Sequence, residues 1–161
     1  MRMKNLCNQI LFDELLMYVD YKSRLEVYEN IYKNMYEELF NIHSPTFQLT
    51  GMHDLKSKEK FRLNIIHKLD VYVEEMNRIK ANMEWIEAML KLHIFRKDEK
   101  DIMNDMIIEG LSYKEIASKY AYNEKYIYRR VEHILSKMNQ YLMKYNYIPN
   151  RKEVVNDTKT T

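Results

Sequence analysis

Turn-forming residues are scarce in this sequence of 161 residues, which contains only two glycines and two prolines. Folds rich in strands need a turn roughly every 8–12 residues, and glycine, proline and asparagine build most of those turns. The scarcity therefore argues against a sheet-rich fold. Because 46% of the residues are hydrophobic and 31% are charged, the chain can bury a core, and we expect an all-α fold made of long helices.

Cysteine and long apolar runs are scarce as well. With Cys7 as its single cysteine, the chain has no internal disulfide and no zinc site built from several thiolates, which fits a reducing cytoplasm. No apolar run approaches the roughly 18 residues that a membrane span needs. We therefore expect a cytoplasmic protein without a membrane partner.

An excess of charge of either sign is also missing. The 26 Lys and Arg residues nearly balance the 24 Asp and Glu residues, which leaves a formal charge of +2. A uniformly polybasic protein is excluded, so any surface that binds DNA must be local.

Motifs for catalysis are absent too. The sequence has no glycine-rich phosphate loop, no GxSxG or HExxH motif and no paired cysteines. We therefore expect no enzyme activity, no catalytic residues and no cofactor. The histidines are scattered, and a metal site where His43, His53 and Asp54 share a loop is a remote alternative, so we expect no metal.

The first half of the chain has the pattern of two long helices. Residues 5–42 contain no glycine or proline and have apolar or tyrosine residues at helical spacing. The segment 20–23 interrupts this spacing, which leaves open one bent helix or two helices that meet there. Pro45 and Gly51 place a loop over residues 43–56, and Ser57 is predicted to cap the next helix.

Apolar residues in the second long helix repeat with alternating steps of four and three over about four heptads, which is typical of a coiled coil. Two such helices joined by one loop predict an antiparallel hairpin over residues 1–94. Because a two-helix hairpin has little core of its own, we expect the chain to form a homodimer or a higher homo-oligomer. We name this row the heptad seam: Ile65, Leu69, Tyr72, Met76, Ile79, Met83, Ile86 and Leu90.

Three shorter helical patterns follow over residues 95–148. The first runs from Asp98 to Ile108, with Ile102, Met106 and Met103 on one side, and is predicted to end at Gly110, which can adopt positive φ. Ser112 and Glu115 have the spacing of a capping box, so a second, short helix is predicted to begin there, with Ile116 and Ala117 inward.

Asn123 is the predicted N-cap of the third helix. A short capped helix, a turn of three or four residues and a longer helix together constitute a helix-turn-helix, whose last helix enters the DNA major groove. One stripe of this last helix is predicted to face inward: Ile127, Val131, Ile134, Met138 and Leu142.

The opposite side of the last helix is basic near its beginning. Lys125 and Arg129 lie one turn apart where such helices contact base edges, and Arg can bind the O6 and N7 atoms of guanine. His133 and Ser136 lie on the same side. The other predicted DNA contacts are to phosphates: Tyr126, Tyr128, Arg130 and Lys137, with Lys114 and Tyr113 from the short helix. Outer Lys and Arg residues are, however, usually only solvated.

The residues from Ile102 to Leu135, with EGLSYKEIASKY followed by NEKYIYRRVEHIL, resemble the helix-turn-helix of sigma factor region four. They are more similar to that of phage late-transcription regulators of the RinA and ArpU type. The N-terminal segment LFDELLMYVDYKSRLEVYENIYKNMYEEL, the loop with Ser and Pro, and the long helix after it are similar as well. The resemblance implies a regulator that activates phage or prophage late genes by binding upstream double-stranded DNA in a bacterial host.

Carried over by position, the family's recognition helix corresponds to residues 123–134 and implies DNA contacts by Lys125, Tyr126, Arg129 and Arg130. Host RNA polymerase is a further partner to consider. One alternative is a small terminase subunit that marks DNA for packaging, although its helix-turn-helix usually comes first in the chain. A second is an adaptor that docks an acidic protein on the same helical face. Residues 149–161 lack periodicity and are predicted to form a flexible tail.

Overall fold

In the computed structural model, which describes Met3, residues 5–41 and residues 55–145, the chain is all-α, as predicted. The described residues form five α-helices and no strand: α1 (Leu6–Asn41), α2 (Leu55–Leu90), α3 (Lys97–Ile107), α4 (Tyr113–Lys119) and α5 (Glu124–Lys144). None of these five helices is both long and apolar enough to cross a membrane. The predicted tail over residues 149–161 lies outside the described residues.

Helix α1 passes through the segment 20–23 without a break, so the single helix is correct. The segment contains no glycine or proline, and an ion pair between Asp20 and Arg24, 3.7 Å apart, bridges it on the solvent side. A 36-residue helix is about 54 Å long at 1.5 Å per residue. The change of apolar register coincides with a change of packing partner: Leu15 and Tyr18 lie in a core shared with the C-terminal helices, whereas Tyr32 and Met35 pack in a separate cluster with α2.

Helix α2 begins earlier than predicted. Its first residue is Leu55, so Ser57 lies inside the helix, and the prediction that Ser57 is its N-cap is wrong. The reason is local: no proline or glycine stands between Leu55 and Ser57 to stop the helix. The remainder of the predicted loop, with His43, His53 and Asp54, lies outside the described residues.

Helices α1 and α2 pack as an antiparallel hairpin. The Tyr18 hydroxyl donates to Glu87 Oε1 at 2.6 Å near one end, and the rings of Tyr28 and Tyr72 meet at 5.6 Å farther along. Burial, and then the hydrogen bond and charge of Glu87, raise the pKa of Tyr18 to about 12. The neutral phenol therefore joins the two helices.

The heptad seam is occupied within one chain. Six of its eight side chains are buried, and Tyr72 and Met83 are half-buried. An oligomer that used these side chains would first have to open the hairpin, because α1 already covers them. Oligomerisation stays a prediction, and it requires a surface other than this seam.

One apolar core crosses the boundary predicted at residue 94. We name it the basal core, and it joins the first half of α1 and the end of α2 to α3, α4 and α5. Its side chains include Leu15, Ile86, Ile107, Ile116 and Ile134, each at most 1% exposed. The first half of α1 therefore packs with the C-terminal helices as well as with α2.

The far end of the hairpin is packed more loosely. We name residues 28–41 and 55–72 the distal hairpin. Its separate cluster has only Ile65 and Leu69 as buried members, with Tyr32, Met35, Leu39 and Phe61 partly buried around them. Every inward side chain that α1 contributes there keeps contact with solvent.

Candidate nucleic-acid interface

Helix α3 begins after Arg96, whose backbone N–H donates to Glu99 Oε2 at 3.0 Å. Ile102, Met103 and Met106 are buried on one side, as predicted. The helix is followed by Gly110 at a φ of +70°. This conformation strains any residue with a Cβ, which confirms the predicted role of Gly110 in ending α3 and admitting α4 immediately afterwards.

The predicted capping box at the beginning of α4 is confirmed. Glu115 N–H donates to Ser112 Oγ at 3.3 Å, and Ser112 N–H donates to Glu115 Oε2 at 2.8 Å. Hydrogen bonds from the Ser112 hydroxyl and amide hold the pKa of Glu115 below its usual value. Ile116 and Ala117 are buried, as predicted, so this seven-residue helix is anchored at its start and along one side.

A four-residue connection, residues 120–123, separates α4 from α5. Tyr122 N–H donates to Ala117 O at 2.9 Å, and Ala121 N–H donates to Ser118 O at 3.4 Å. These are the two hydrogen bonds of a Schellman motif, in which the residue after the C-cap is left-handed. Here that residue is Ala121, at a φ of 56°, where glycine is the usual choice. Because this residue is not a glycine, the left-handed conformation in this turn could not be predicted from the sequence.

Helix α5 begins and packs as predicted. The Asn123 side chain accepts from Tyr126 N–H at 2.7 Å, which identifies it as the N-cap. Five inward side chains are buried: Ile127, Val131, Ile134, Met138 and Leu142. The direction of the opposite face follows from this stripe.

We name Lys125, Tyr126, Arg129 and His133 the outward face of α5, because all four side chains are exposed. Among the residues that the structure describes, the side chains of Lys125, Arg129 and His133 make no hydrogen bond or ion pair. Lys114, at the start of α4, is exposed as well. These five residues lie where DNA-binding residues were predicted, and each is accessible to a ligand.

Two other predicted DNA contacts, Arg130 and Lys137, have partners inside the fold. Glu99 is fully buried, and Lys137 Nζ donates to its Oε1 at 2.8 Å and to its Oε2 at 3.1 Å. Arg130 Nη2 lies 3.8 Å from Glu99 Oε1 and also bonds Asp98. The prediction that Arg130 and Lys137 are available to phosphates is corrected, because the acids of α3 already neutralise them.

The pKa of Glu99 reflects this pairing. Burial alone raises the pKa of a carboxyl group. The Lys137 hydrogen bonds, the Arg96 amide and the nearby Arg130 outweigh that effect and hold the pKa of Glu99 below its usual value. Glu99 is therefore a charged group inside the basal core.

The predicted exposure of Tyr128, Tyr113 and Ser136 is also corrected. Tyr128 is buried, and its ring meets that of Tyr113 at 5.7 Å. Burial above all raises the pKa of Tyr113 to about 12, and Tyr113 also packs against Phe12 of α1. Ser136 Oγ accepts from Asn8 Nδ2 at 2.8 Å. Helix α1 covers this side of α5, which nothing in the C-terminal sequence indicated.

Asn8 is the buried residue through which α1 holds α5. Besides Ser136, its side chain donates to Glu132 O at 3.3 Å and accepts from Asn139 Nδ2 at 2.7 Å. It is 3% exposed. Sequence reasoning missed Asn8, because no local pattern distinguishes it from a solvated helix residue.

The acids of α3 have basic partners on two other helices. A second ion pair shows their wider use: Lys119 Nζ donates to both Asp105 oxygens at 2.7 Å, and Tyr120 Oη donates to Asp105 Oδ2 at 2.8 Å. A signal was present, since Glu99 stands three and seven residues before Ile102 and Met106 on the same inward stripe. An acid on an apolar stripe predicts a buried basic partner.

No group of metal-ligating side chains occurs in the described part of the chain. Comparisons with protein-family models, with curated proteins and with solved structures give no match to this chain.

Proposed function

We propose that this chain is a sequence-specific, double-stranded DNA-binding protein that uses the outward face of α5 and regulates transcription. One observation supports the proposal above the others. Of the five Lys and Arg residues of α5, Arg130 and Lys137 are paired with α3, and Lys144 is the last residue of the helix. The other two, Lys125 and Arg129, are exposed without a partner among the described residues. These two residues lie in the first two turns of the helix.

This position suits recognition in the major groove. In helix-turn-helix proteins the N-terminal part of the second helix contacts base edges. The short α4, the four-residue turn and the longer α5 have the lengths of that motif. Arg129 provides a guanidinium for guanine, Lys125 a contact one turn earlier, and Lys114 a cation for the phosphates beside them.

The charges around the outward face favour local rather than general DNA binding. Within this face every charged side chain is basic or a histidine. Of the nearby acids, Glu124 is exposed at the first position of α5, whereas Glu132 is half-buried, on the side of Tyr128. The resemblance to phage late-gene regulators adds activation of phage or prophage late genes to the proposal.

The experiment is a selection of bound duplexes from a random DNA library, followed by titration of the selected duplex with Arg129→Ala and Lys114→Ala. Losing a bidentate guanine contact costs about 1–3 kcal/mol, so we expect Arg129→Ala to bind about 5- to 150-fold more weakly and to accept other bases at one position. Lys114→Ala should weaken all duplexes alike and lower the salt slope by about one.

Arg62→Ala is the matched control, because Arg62 is an exposed arginine on the distal hairpin. It removes the same charge and should leave DNA binding unchanged. If no duplex is enriched, or if Arg62→Ala weakens binding as much as Arg129→Ala, the proposal is wrong. Binding of an acidic protein in place of DNA by the same face would identify the adaptor instead.

A further inference from the structure

Two large aromatic side chains are exposed at the beginning of α5. Tyr122 is 51% exposed and Tyr126 is 41% exposed, and their ring centroids lie 4.5 Å apart with the planes inclined at 33°. Tyr126 belongs to the outward face, and Tyr122 precedes the helix by two residues. Sequence reasoning did not single out Tyr122.

The backbone of both tyrosines is fixed by the turn. Tyr122 N–H donates to Ala117 O at 2.9 Å, and Tyr126 N–H donates to Asn123 Oδ1 at 2.7 Å. Ala121, directly before Tyr122, has the left-handed conformation that a residue with a Cβ adopts at a cost. Ring contact then restricts both side chains, so little freedom is lost when a ligand binds them.

The ring pair leaves no room for an unpaired base to insert between its two rings. A base that enters between two rings needs about 3.4 Å on each side, as between stacked base pairs. The centroid separation of 4.5 Å closes that space. Tyr126, 41% exposed, instead offers apolar ring carbon atoms on the same outward face as Lys125 and Arg129.

Thymine is the base with which exposed ring carbon atoms can make an apolar contact in the major groove. Its C5-methyl group is the one apolar feature of the groove, and apolar side chains contact it. We propose that Tyr126, held in place by Tyr122, contacts a thymine methyl group in the same groove in which Arg129 contacts a guanine. This inference rests on the proposed function and adds the identity of a second base.

The test replaces the thymines of the selected duplex with deoxyuridine, one at a time. Each replacement removes one methyl group and leaves base pairing intact. Burial of one such carbon contributes about 0.8 kcal/mol, so one replacement should weaken the wild type about fourfold. In Tyr126→Ala the same replacement should have no effect, and in Tyr122→Ala the effect should be smaller. Arg129→Ala should keep it. Tyr36→Ala, which removes a tyrosine 44% exposed on the distal hairpin, is the matched control.

The outcomes separate this inference from the proposed function. A duplex that is enriched but loses equal affinity in wild type and Tyr126→Ala on replacement contradicts the thymine contact and leaves the proposed function standing. Tighter binding of the unpaired strand than of the duplex contradicts it as well. If no duplex is enriched, the proposed function fails, and the thymine contact fails with it.

Discussion

The basal core and the distal hairpin contain the same kinds of residues in the same kind of helix, yet they are stabilised differently. In the basal core, five helices meet and enclose Leu15, Ile107 and Ile134 completely. In the distal hairpin, two helices cover each other on one side only, and Ile65 and Leu69 are its buried members. An apolar heptad pattern therefore predicts which side of a helix is covered, whereas the number of neighbours decides how well.

Buried charge separates the two regions in the same way. Glu99 and Asp105 are buried beside the basal core, and each is paired with a lysine. Glu29 of the distal hairpin pairs at 3.4 Å with Lys80, which lies farther along α2, and both side chains are about half exposed. Water screens the Glu29–Lys80 pair but has little access to the carboxylates of Glu99 and Asp105, whose side chains are 0% and 10% exposed.

The largest expected difference comes from truncating one isoleucine in each region. Ile134→Ala should lower the free energy of unfolding by about 4 kcal/mol, and Ile65→Ala by about 2 kcal/mol, because the loose surroundings of Ile65 can close over the missing atoms. Urea unfolding followed by circular dichroism measures both. Equal losses of unfolding free energy would show that the distal hairpin is packed as tightly as the basal core.

Removing one carboxylate charge in each region should give the next largest difference. Glu99→Gln leaves Lys137 and Arg130 without their buried partner and should cost about 3 kcal/mol. Glu29→Gln, the matched control, should cost less than about 1 kcal/mol.

The direction in which the effect of Glu99→Gln on stability changes with pH follows from the pKa shift of Glu99. The pKa of Glu99 is lower in the folded chain than in the unfolded chain, where it is about 4.3. Its contribution is therefore fully present above that value and is lost as the pH falls through the folded pKa. Stability curves of wild type and variant should converge in acid. A gap that stayed constant down to about pH 3 would contradict the assignment.

The smallest expected effect concerns Gly110 and Ala121, the two residues beside the basal core whose backbone has the left-handed conformation. Ala121→Gly should raise the free energy of unfolding by about 0.5 kcal/mol, because relief of the strained φ exceeds the added entropy of the unfolded chain. Gly110→Ala should lower it by about 1 kcal/mol. A Cβ at residue 110 would lie 3.5 Å from Val19 Cγ2, an ordinary contact, so the loss would come from the backbone. Thermal unfolding resolves both signs, and a destabilised Ala121→Gly would contradict the account.

The features that the sequence predicted are the ones that neighbouring residues determine. Ser112 and Glu115 form a capping box with each other, Asn123 caps its own helix, and Gly110 supplies its own conformation. The inward stripe of α5 follows from its spacing. Periodicity therefore predicted the all-α fold, the hairpin and the direction of the outward face.

The errors concern side chains whose partners are distant in the chain. Arg130 and Lys137 have partners inside the fold because α3 presents Glu99 to them. Tyr128 is buried, and the ring of Tyr113 from α4 packs against it. Angular position on one helix cannot distinguish a flank that meets solvent from a flank that meets another helix. Ala121 was missed for a different reason, since its conformation is imposed by the Schellman hydrogen bonds rather than by its own preference.

The hydrogen bonds of Asn8 have a consequence for the order in which the chain acquires its structure. They join residues 124, 128 and 131 positions apart. A ribosome that adds about 5–20 residues per second needs on the order of ten seconds to cover that separation. The first turns of α1 therefore cannot form these hydrogen bonds until most of the chain has been synthesised. Helices α3, α4 and α5, by contrast, are synthesised within seconds of one another and contact each other directly.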